Sequence, residues 1–307
     1  MVSVILPVLN GASTIEKSIE SVRNQTYTDF ELLIVDNGST DGTIEICEQY
    51  TEMDSRIRVL HSKKRGVVAG RKTGLDAAEG EYIAFIDADD LYEPEMLSKM
   101  LSAAETYQAD IVSCGYININ LDGTYEECIP NAEGILSSNE FFNCIFESGT
   151  LGFLWNKIYK KSVIDECEHP ENMAVCEDTY INCSLMRQER KVVVLKECLY
   201  KYYVNPLSVT HMIEKKIDTD GKWKYLTSYR RIRALFKDDP AKAQRVHGGE
   251  WWVIKLGVEE LALAGEKGAY AKEKLLQEMR KTIVEVIFSK ESLHFKLGYL
   301  KCYLLKK

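Results

Sequence analysis

Tyr82-Ile83-Ala84-Phe85-Ile86-Asp87-Ala88-Asp89-Asp90 decides how this chain is read: a continuous apolar run empties, without a spacer, into three carboxylates. The run is too short for a helix, follows Gly80, and has the content of a strand covered on both faces. Carboxylates crowded at the end of a buried strand repel one another and lose hydration, so they need donors or a cation. A hard divalent ion with oxygen ligands, Mg²⁺ or Mn²⁺, suits them and usually arrives with a phosphorylated substrate. The competing reading is that these acids only cap the strand or the helix that follows.

Working outward toward the N-terminus, the same order of strand, polar turn and helix recurs. Residues 2–7 form a β-branched strand ending at Pro7, and Asn10-Gly11 makes the turn into a helix with Ser13 as its expected N-cap and Glu16 three residues on. Residues 30–36 are a second buried strand, followed by the turn 37–42, which exposes backbone amides. Residues 57–60 are a third, followed by a basic loop at 62–66 and a helix over 71–78. Beyond the acidic cluster, Pro94 opens a helix over 95–107, and 110–114 is a fifth strand. This alternation predicts a Rossmann-like α/β fold, a mostly parallel sheet flanked by helices. Residues just past the strands then collect along one edge, where open α/β folds bind ligands. Segments 7–10, 36–39, 65–71 and 87–90 meet there as one pocket: turn amides, basic side chains for phosphate, and acids for a metal. No GxGxxG follows the first strand and no GxxxxGK[ST] occurs, which disfavours a dinucleotide oxidoreductase and removes a P-loop ATPase.

Downstream, 115–150 is turn-rich, with short antiparallel strands expected near 117–120 and 125–129, and 152–159 reads as an aromatic-rich strand or loop. Glu177 and Asp178 open a helix, whose N-terminus favours a carboxylate; plain capping is the competing role. A strand at 191–195 precedes 200–211, which combines aromatics and hydroxyls with His211. From 212 the period turns helical, with stripes at Tyr225, Tyr229, Ile232 and Phe236, at Ile254, Val258 and Leu261, and at Leu276, Met279, Ile283, Val286 and Ile287. The expected domains are therefore 1–211 and a helical extension, 212–307. In the tail, Phe295, Leu297, Leu300, Tyr303 and Leu304 interleave with lysines, the pattern of a helix lying on an anionic membrane or of a packed helix with solvated lysines.

Composition bounds these readings. With 307 residues and 45% hydrophobic content the chain can bury a large core. Its net charge of -8 argues against a nucleic-acid partner. Nine cysteines, an odd number without a CxxC pair, fit reduced thiols in the cytoplasm. No signal-peptide pattern and no apolar run of membrane-spanning length is read, so the expectation is a soluble or peripheral protein.

Taken together, SVILPVLN (3–10), ELLIVDNGSTDGT (31–43), GRKTGLDAAEGEYIAFIDADD (70–90), LWNKIY (154–159) and ED (177–178) resemble the family 2 glycosyltransferases, which have the GT-A fold. The resemblance covers roughly the first two thirds of the chain. It implies inverting transfer of a sugar from a nucleoside diphosphate donor, a UDP-sugar first, assisted by Mg²⁺ or Mn²⁺. The basic tail suggests the acceptor, a saccharide or a lipid-linked saccharide, and the expected setting is polysaccharide biosynthesis of the cell envelope, in the cytoplasm or peripheral at the inner face of the plasma membrane. Asp87 and Asp89 match the Asp-x-Asp motif, with Asp89 as metal ligand, Asp87 nearer the ribose or the metal shell, and Ala88 between them in the nucleotide-sugar site. Asp36 matches the acid associated with the nucleobase, and Asp178 the catalytic base. Pro7, Asn10, Asn37, Arg65 and Arg71 complete the expected nucleotide-sugar site. Two departures stand out: Asn37 replaces a usual Asp, and Lys72 a usual Asn. A non-catalytic nucleotide-sugar-binding protein of the same fold is the alternative, and a nucleotidyltransferase a third.

Overall fold

The computed structural model describes residues 1–148, 150–170, 172–206, 208, 212–264 and 268–306. In chain order the elements are β1 (Val2–Val8), α1 (Ile15–Arg23), β2 (Phe30–Asp36), α2 (Thr43–Met53), β3 (Ile57–His61), α3 (Val67–Ala77), β4 (Tyr82–Phe85), β5 (Leu91–Tyr92), α4 (Met96–Tyr107), β6 (Ile111–Ile119), β7 (Tyr125–Cys128), β8 (Gly134–Leu136), α5 (Ser138–Ser148), β9 (Lys157–Lys160), α6 (Lys161–Ile164), α7 (Glu177–Leu185) and β10 (Val192–Tyr203). Five helices follow: α8 (Ile213–Lys216), α9 (Lys224–Ala234), α10 (Pro240–Leu263), α11 (Ala269–Phe288) and α12 (Leu293–Lys306). The chain divides into two compact units, Met1–Asn172 with Ile181–Asn205, and Met173–Tyr180 with Pro206–Lys307. His211, and the domain boundary expected there, lies outside the described residues.

In the first unit the described strands form one ten-stranded sheet, ordered β3-β2-β1-β4-β9-β6-β10-β5, with β7 on β6 and β8 on β10. Strands β3, β2, β1, β4, β6 and β10 run the same way, while β9 runs against both of its neighbours, β4 and β6. The expected parallel sheet is thus an α/β core with one reversed strand set into its middle. Every residue of β1 and β2 is buried, as continuous apolar runs between two neighbours demand. Pro7 is tolerated in central β1 because of its place in the ladder. Ile5 O accepts from Ile86 N, so the missing Pro7 N–H would face the same side, and the β1–β4 register stops at Ile5–Phe85. The helices cover the faces, with Ile15, Ile19, Val22, Leu97, Met100 and Leu101 in the same core as Val4, Leu32 and Ala84.

Local chemistry differs from expectation at several ends. Thr14, not Ser13, precedes α1 without a side-chain cap, and Gly11 O takes the amides of Thr14 and Ile15 instead. Strand β6 runs unbroken from 111 to 119, absorbing the first short strand expected in the middle region, and α5 was not foreseen there.

The second unit is helical. Its core joins Trp223, Trp251, Ile254, Val258, Leu261, Leu275, Met279, Phe295 and Tyr299. The third expected stripe holds at Met279 and Val286, which are buried, and at Leu276 and Ile283, which pack against the core; Leu275 joins it and Ile287 is exposed. Asp239 caps α10 by accepting from Lys242 N at 3.1 Å, with Pro240 in the first turn. A charged seam ties α9, α10 and α11: Arg233 Nε lies 2.9 Å from Glu250 Oε1, and His247 stands 3.0 Å from both Glu250 and Glu285. Among the described residues no helix is long and apolar enough to cross a membrane.

Candidate functional site

The loops after β1 and β2 are laced together at the carboxyl ends of their strands. Asn10, at φ 53°, donates its amide to Ser39 Oγ and accepts from Thr40 N through Oδ1, both at 2.9 Å. Left-handed backbone is tolerated best by Gly and Asn, so Asn10 supplies both the turn and the link. Asp36 is buried, and its two oxygens accept from Gly38 N at 3.0 Å and Ser39 N at 2.9 Å. Burial alone would disfavour its charge, but the Ser39 hydroxyl and amide, the Gly38 amide and His61 outweigh it, and the carboxyl titrates below its usual range. Asp36 thus first of all shapes its own loop.

Asn37 donates its amide to Val8 O at 2.9 Å, while its buried side-chain Oδ1 has no donor among the described residues. Helix α3 closes over it at Gly70, where an added Cβ would lie 2.7 Å from Asn37 Nδ2 and 3.2 Å from Pro7 Cβ. Only glycine allows that approach. One residue on, buried Arg71 reaches across to Asp87 Oδ1 at 3.2 Å. Arg65 is exposed in the loop before α3, and Lys72 points to Asp76 one turn along the helix surface.

The three carboxylates after β4 have separate environments. Asp90 is fully buried, accepting from Tyr200 Oη at 2.7 Å and Tyr203 N at 2.8 Å. Burial, then the charges of Asp87 and Asp89, push its carboxyl well above the usual range. The Tyr200 hydroxyl also accepts from Asp87 N at 3.2 Å, so one buried phenol fixes both ends of the loop. Ala88 lies against the turn after β1, 3.7 Å from where a Cβ on Gly11 would sit. Asp89 is half-buried, and its Oδ2 accepts from Asn205 Nδ2 at 2.8 Å. Sequence reasoning singled out neither Tyr200 nor Asn205 for this loop. The available signal was the parallel direction of β10, which delivers its C-terminal residues to the same edge.

Among the described residues no three His, Cys, Asp or Glu side chains form a ready-made metal cage. The chemistry of the donor set nevertheless fits Mg²⁺ or Mn²⁺, since such ions commonly take one or two protein carboxylates and complete their shell with substrate phosphates and water. Asp87 and Asp89 are the half-buried carboxylates of that turn.

Pro7, Asn10, Asp36, Asn37, Arg71, Asp87, Ala88 and Asp89 are therefore brought to one edge of the first unit, with Arg65 on the loop leading into α3. Asp178 stands in the first turn of α7, in the segment Met173–Tyr180 that belongs to the second unit. Trp155, in the aromatic-rich segment 152–159, is buried between Phe153 and Tyr200, stacked at 4.6 and 4.3 Å. An open cavity of about 600 Å³, lined by Glu93, Lys99, Glu127, Lys196, Glu197 and Cys198 among others, contains none of the expected site residues.

A mixed α/β sheet whose strand-end loops converge on an acidic turn, with helices on both faces, is the architecture of the GT-A proteins. The chain belongs to glycosyltransferase family 2: residues 3–166 match the profile described as Glycosyl transferase family 2. It is 34% identical over 218 residues to glycosyltransferase EpsJ of Bacillus subtilis (strain 168), described as uncharacterized, covering 69% of this chain and 63% of that protein. The chain therefore spans less than two thirds of that relative. In fold it is similar to S. aureus TarS 1-349 in complex with UDP-GlcNAc, with TM-score 0.65, 17% identity, and 99% of this chain and 81% of that one covered. It is also similar to the mannosyltransferase PcManGT from Pyrobaculum calidifontis in complex with GDP-Man and Mn²⁺, with TM-score 0.58, 18% identity, and 99% and 86% covered.

Proposed function

We propose that the protein transfers a sugar from a nucleoside diphosphate sugar to an acceptor hydroxyl, with inversion at the anomeric carbon. The observation that carries this reading is the direct contact among four loops: Asn10 with Thr40, Gly70 against Asn37 and Pro7, Arg71 with Asp87, and Asp89 beside the end of β10. Complexes of structural neighbours with UDP-GlcNAc and with GDP-Man and Mn²⁺ support a ligand of this class. A UDP-sugar is favoured because the Asn37 amide oxygen, buried without a donor, can accept from the imide N–H of uracil.

In a single displacement the acceptor oxygen bonds to the anomeric carbon as the bond to the diphosphate breaks. Asp178 takes the proton of the attacking hydroxyl. Arg65 offers its guanidinium to the phosphates, and Arg71 holds Asp87 in place. Mg²⁺ or Mn²⁺, held by Asp89 when bound, supplies Lewis-acid stabilisation of the departing diphosphate. The acceptor is read as a saccharide or lipid-linked saccharide of the cell envelope, met at the cytoplasmic face of the membrane.

The test is release of nucleoside diphosphate from UDP- and GDP-sugars with Mn²⁺. A protein that only binds the donor releases none. Calorimetry on Asp89→Ala should lose metal-dependent donor affinity, and equal affinity in both proteins would refute the ligand role.

A further inference from the structure

We propose that α12 is a membrane-surface helix whose outward leucine face inserts into an anionic bilayer while flanking lysines meet the lipid phosphates. One face of α12 is already used, because Phe295, Tyr299 and Cys302 are buried in the helical core. At 3.6 residues per turn, Leu293, Leu297, Leu300 and Leu304 fall within about 60° of one line on the opposite side. Leu293 is 71% exposed, Leu297 57% and Leu304 68%. Lys296 and Lys301 stand about 70° to either side of that line; Lys301 is exposed, and Lys296, whose Nζ donates to Ser289 O at 2.7 Å, lies within reach of the same surface once that bond is exchanged for a lipid phosphate. Phe288, at the end of α11, and Leu305 add further exposed apolar surface. Three exposed leucines aligned on one face, with half-buried Leu300 between them, are unlike the single exposed residues normal on protein surfaces.

Charge selects the occupant. In a chain of net charge -8, the segment from Lys290 onward holds Lys290, Lys296, Lys301, Lys306 and Lys307 against Glu291 alone. An acidic protein approaches an anionic bilayer productively only through such a stretch. A second copy of the chain fits poorly. Stable interfaces engage about 20–30 residues a side, and a twofold pairing of this face would set lysine against lysine. The side chains concerned also differ from those the sequence suggested, since Phe295 is buried and Tyr303 packs against the helical core.

Co-sedimentation with sucrose-loaded vesicles tests the proposal, using phosphatidylcholine alone and phosphatidylcholine mixed with phosphatidylglycerol. The full chain should pellet with the mixed vesicles and stay in solution with the neutral ones. The double variant Leu297→Glu, Leu304→Glu should lose pelleting with an unchanged thermal melt, as both positions are exposed. Lys296→Gln and Lys301→Gln should each weaken partitioning about fivefold at low salt. Wild-type protein that ignores anionic vesicles, or a leucine variant that pellets equally, overturns the proposal. So does a concentration-dependent dimer, seen by light scattering, that the leucine variant dissolves while vesicles are ignored, which assigns the stripe to a second copy. Nucleoside diphosphate release without vesicles, expected unchanged in all these variants, reports on the donor site separately.

Discussion

At the carboxyl edge of the sheet a buried side chain keeps acceptor capacity to spare, whereas in the helical unit buried charge is answered on the spot. Asn37 is buried with its amide oxygen lacking a donor, in a loop held by Asp36 and crossed by α3 at Gly70. Glu250, equally buried, faces Arg233 and His247, and Lys216 faces Glu260. Unmet polar capacity costs folding free energy unless a ligand supplies the partner. The contrast teaches that equal burial leaves an acceptor open in the strand-end loop and holds an ion pair in the helical seam.

The hardest blow to this comparison would come from chemistry. Asp178→Asn should lower turnover by about 10²–10⁴-fold with donor affinity kept, and unchanged single-turnover rates would remove it from the mechanism. Next in size is the seam. Glu250→Ala should cost about 2 kcal/mol in urea denaturation, less than for a fully buried pair because Arg233 is partly exposed. The matching change at the edge sharpens the contrast. Asn37→Ala should leave stability within about 0.5 kcal/mol, since the lost oxygen had no donor, yet weaken UDP binding about fivefold by calorimetry. A stability loss as large as that of Glu250→Ala would erase the distinction.

The smallest effect concerns pH. Glu250, against the opposing effect of burial and with help from Glu285, raises the His247 pKa above its usual value, while Arg233 works the other way. A raised folded pKa means stabilisation present below the ordinary histidine range and lost as pH climbs through the raised value. Melting of the helical unit should therefore shift downward on going from mildly acidic to alkaline buffer, and His247→Gln should flatten that trend.

What the sequence made legible follows from the range of the forces involved. Strands β1, β2 and β4 and the acidic turn were readable because strands covered on both faces write themselves as unbroken apolar runs. Reversed β9 was not, since nothing local in Lys157–Lys160 sets a strand's direction between two partners. Tyr200 and Asn205 escaped notice because their partners lie more than a hundred residues earlier, a distance at which no periodicity operates. In the tail, composition announced apolar and basic residues, but only packing separates buried Phe295 from exposed Leu297.

The Tyr200 phenol has a consequence for the order of events during synthesis. Asp90 and the Asp87 amide are held by a strand translated about 110 residues after them. A nascent chain that has emerged only through α7 already carries β1 to β4 and the Arg71–Asp87 pair, but lacks the phenol that fixes both ends of its acidic turn. The acidic turn thus takes its final form late, when β10 docks and brings Tyr200 against it.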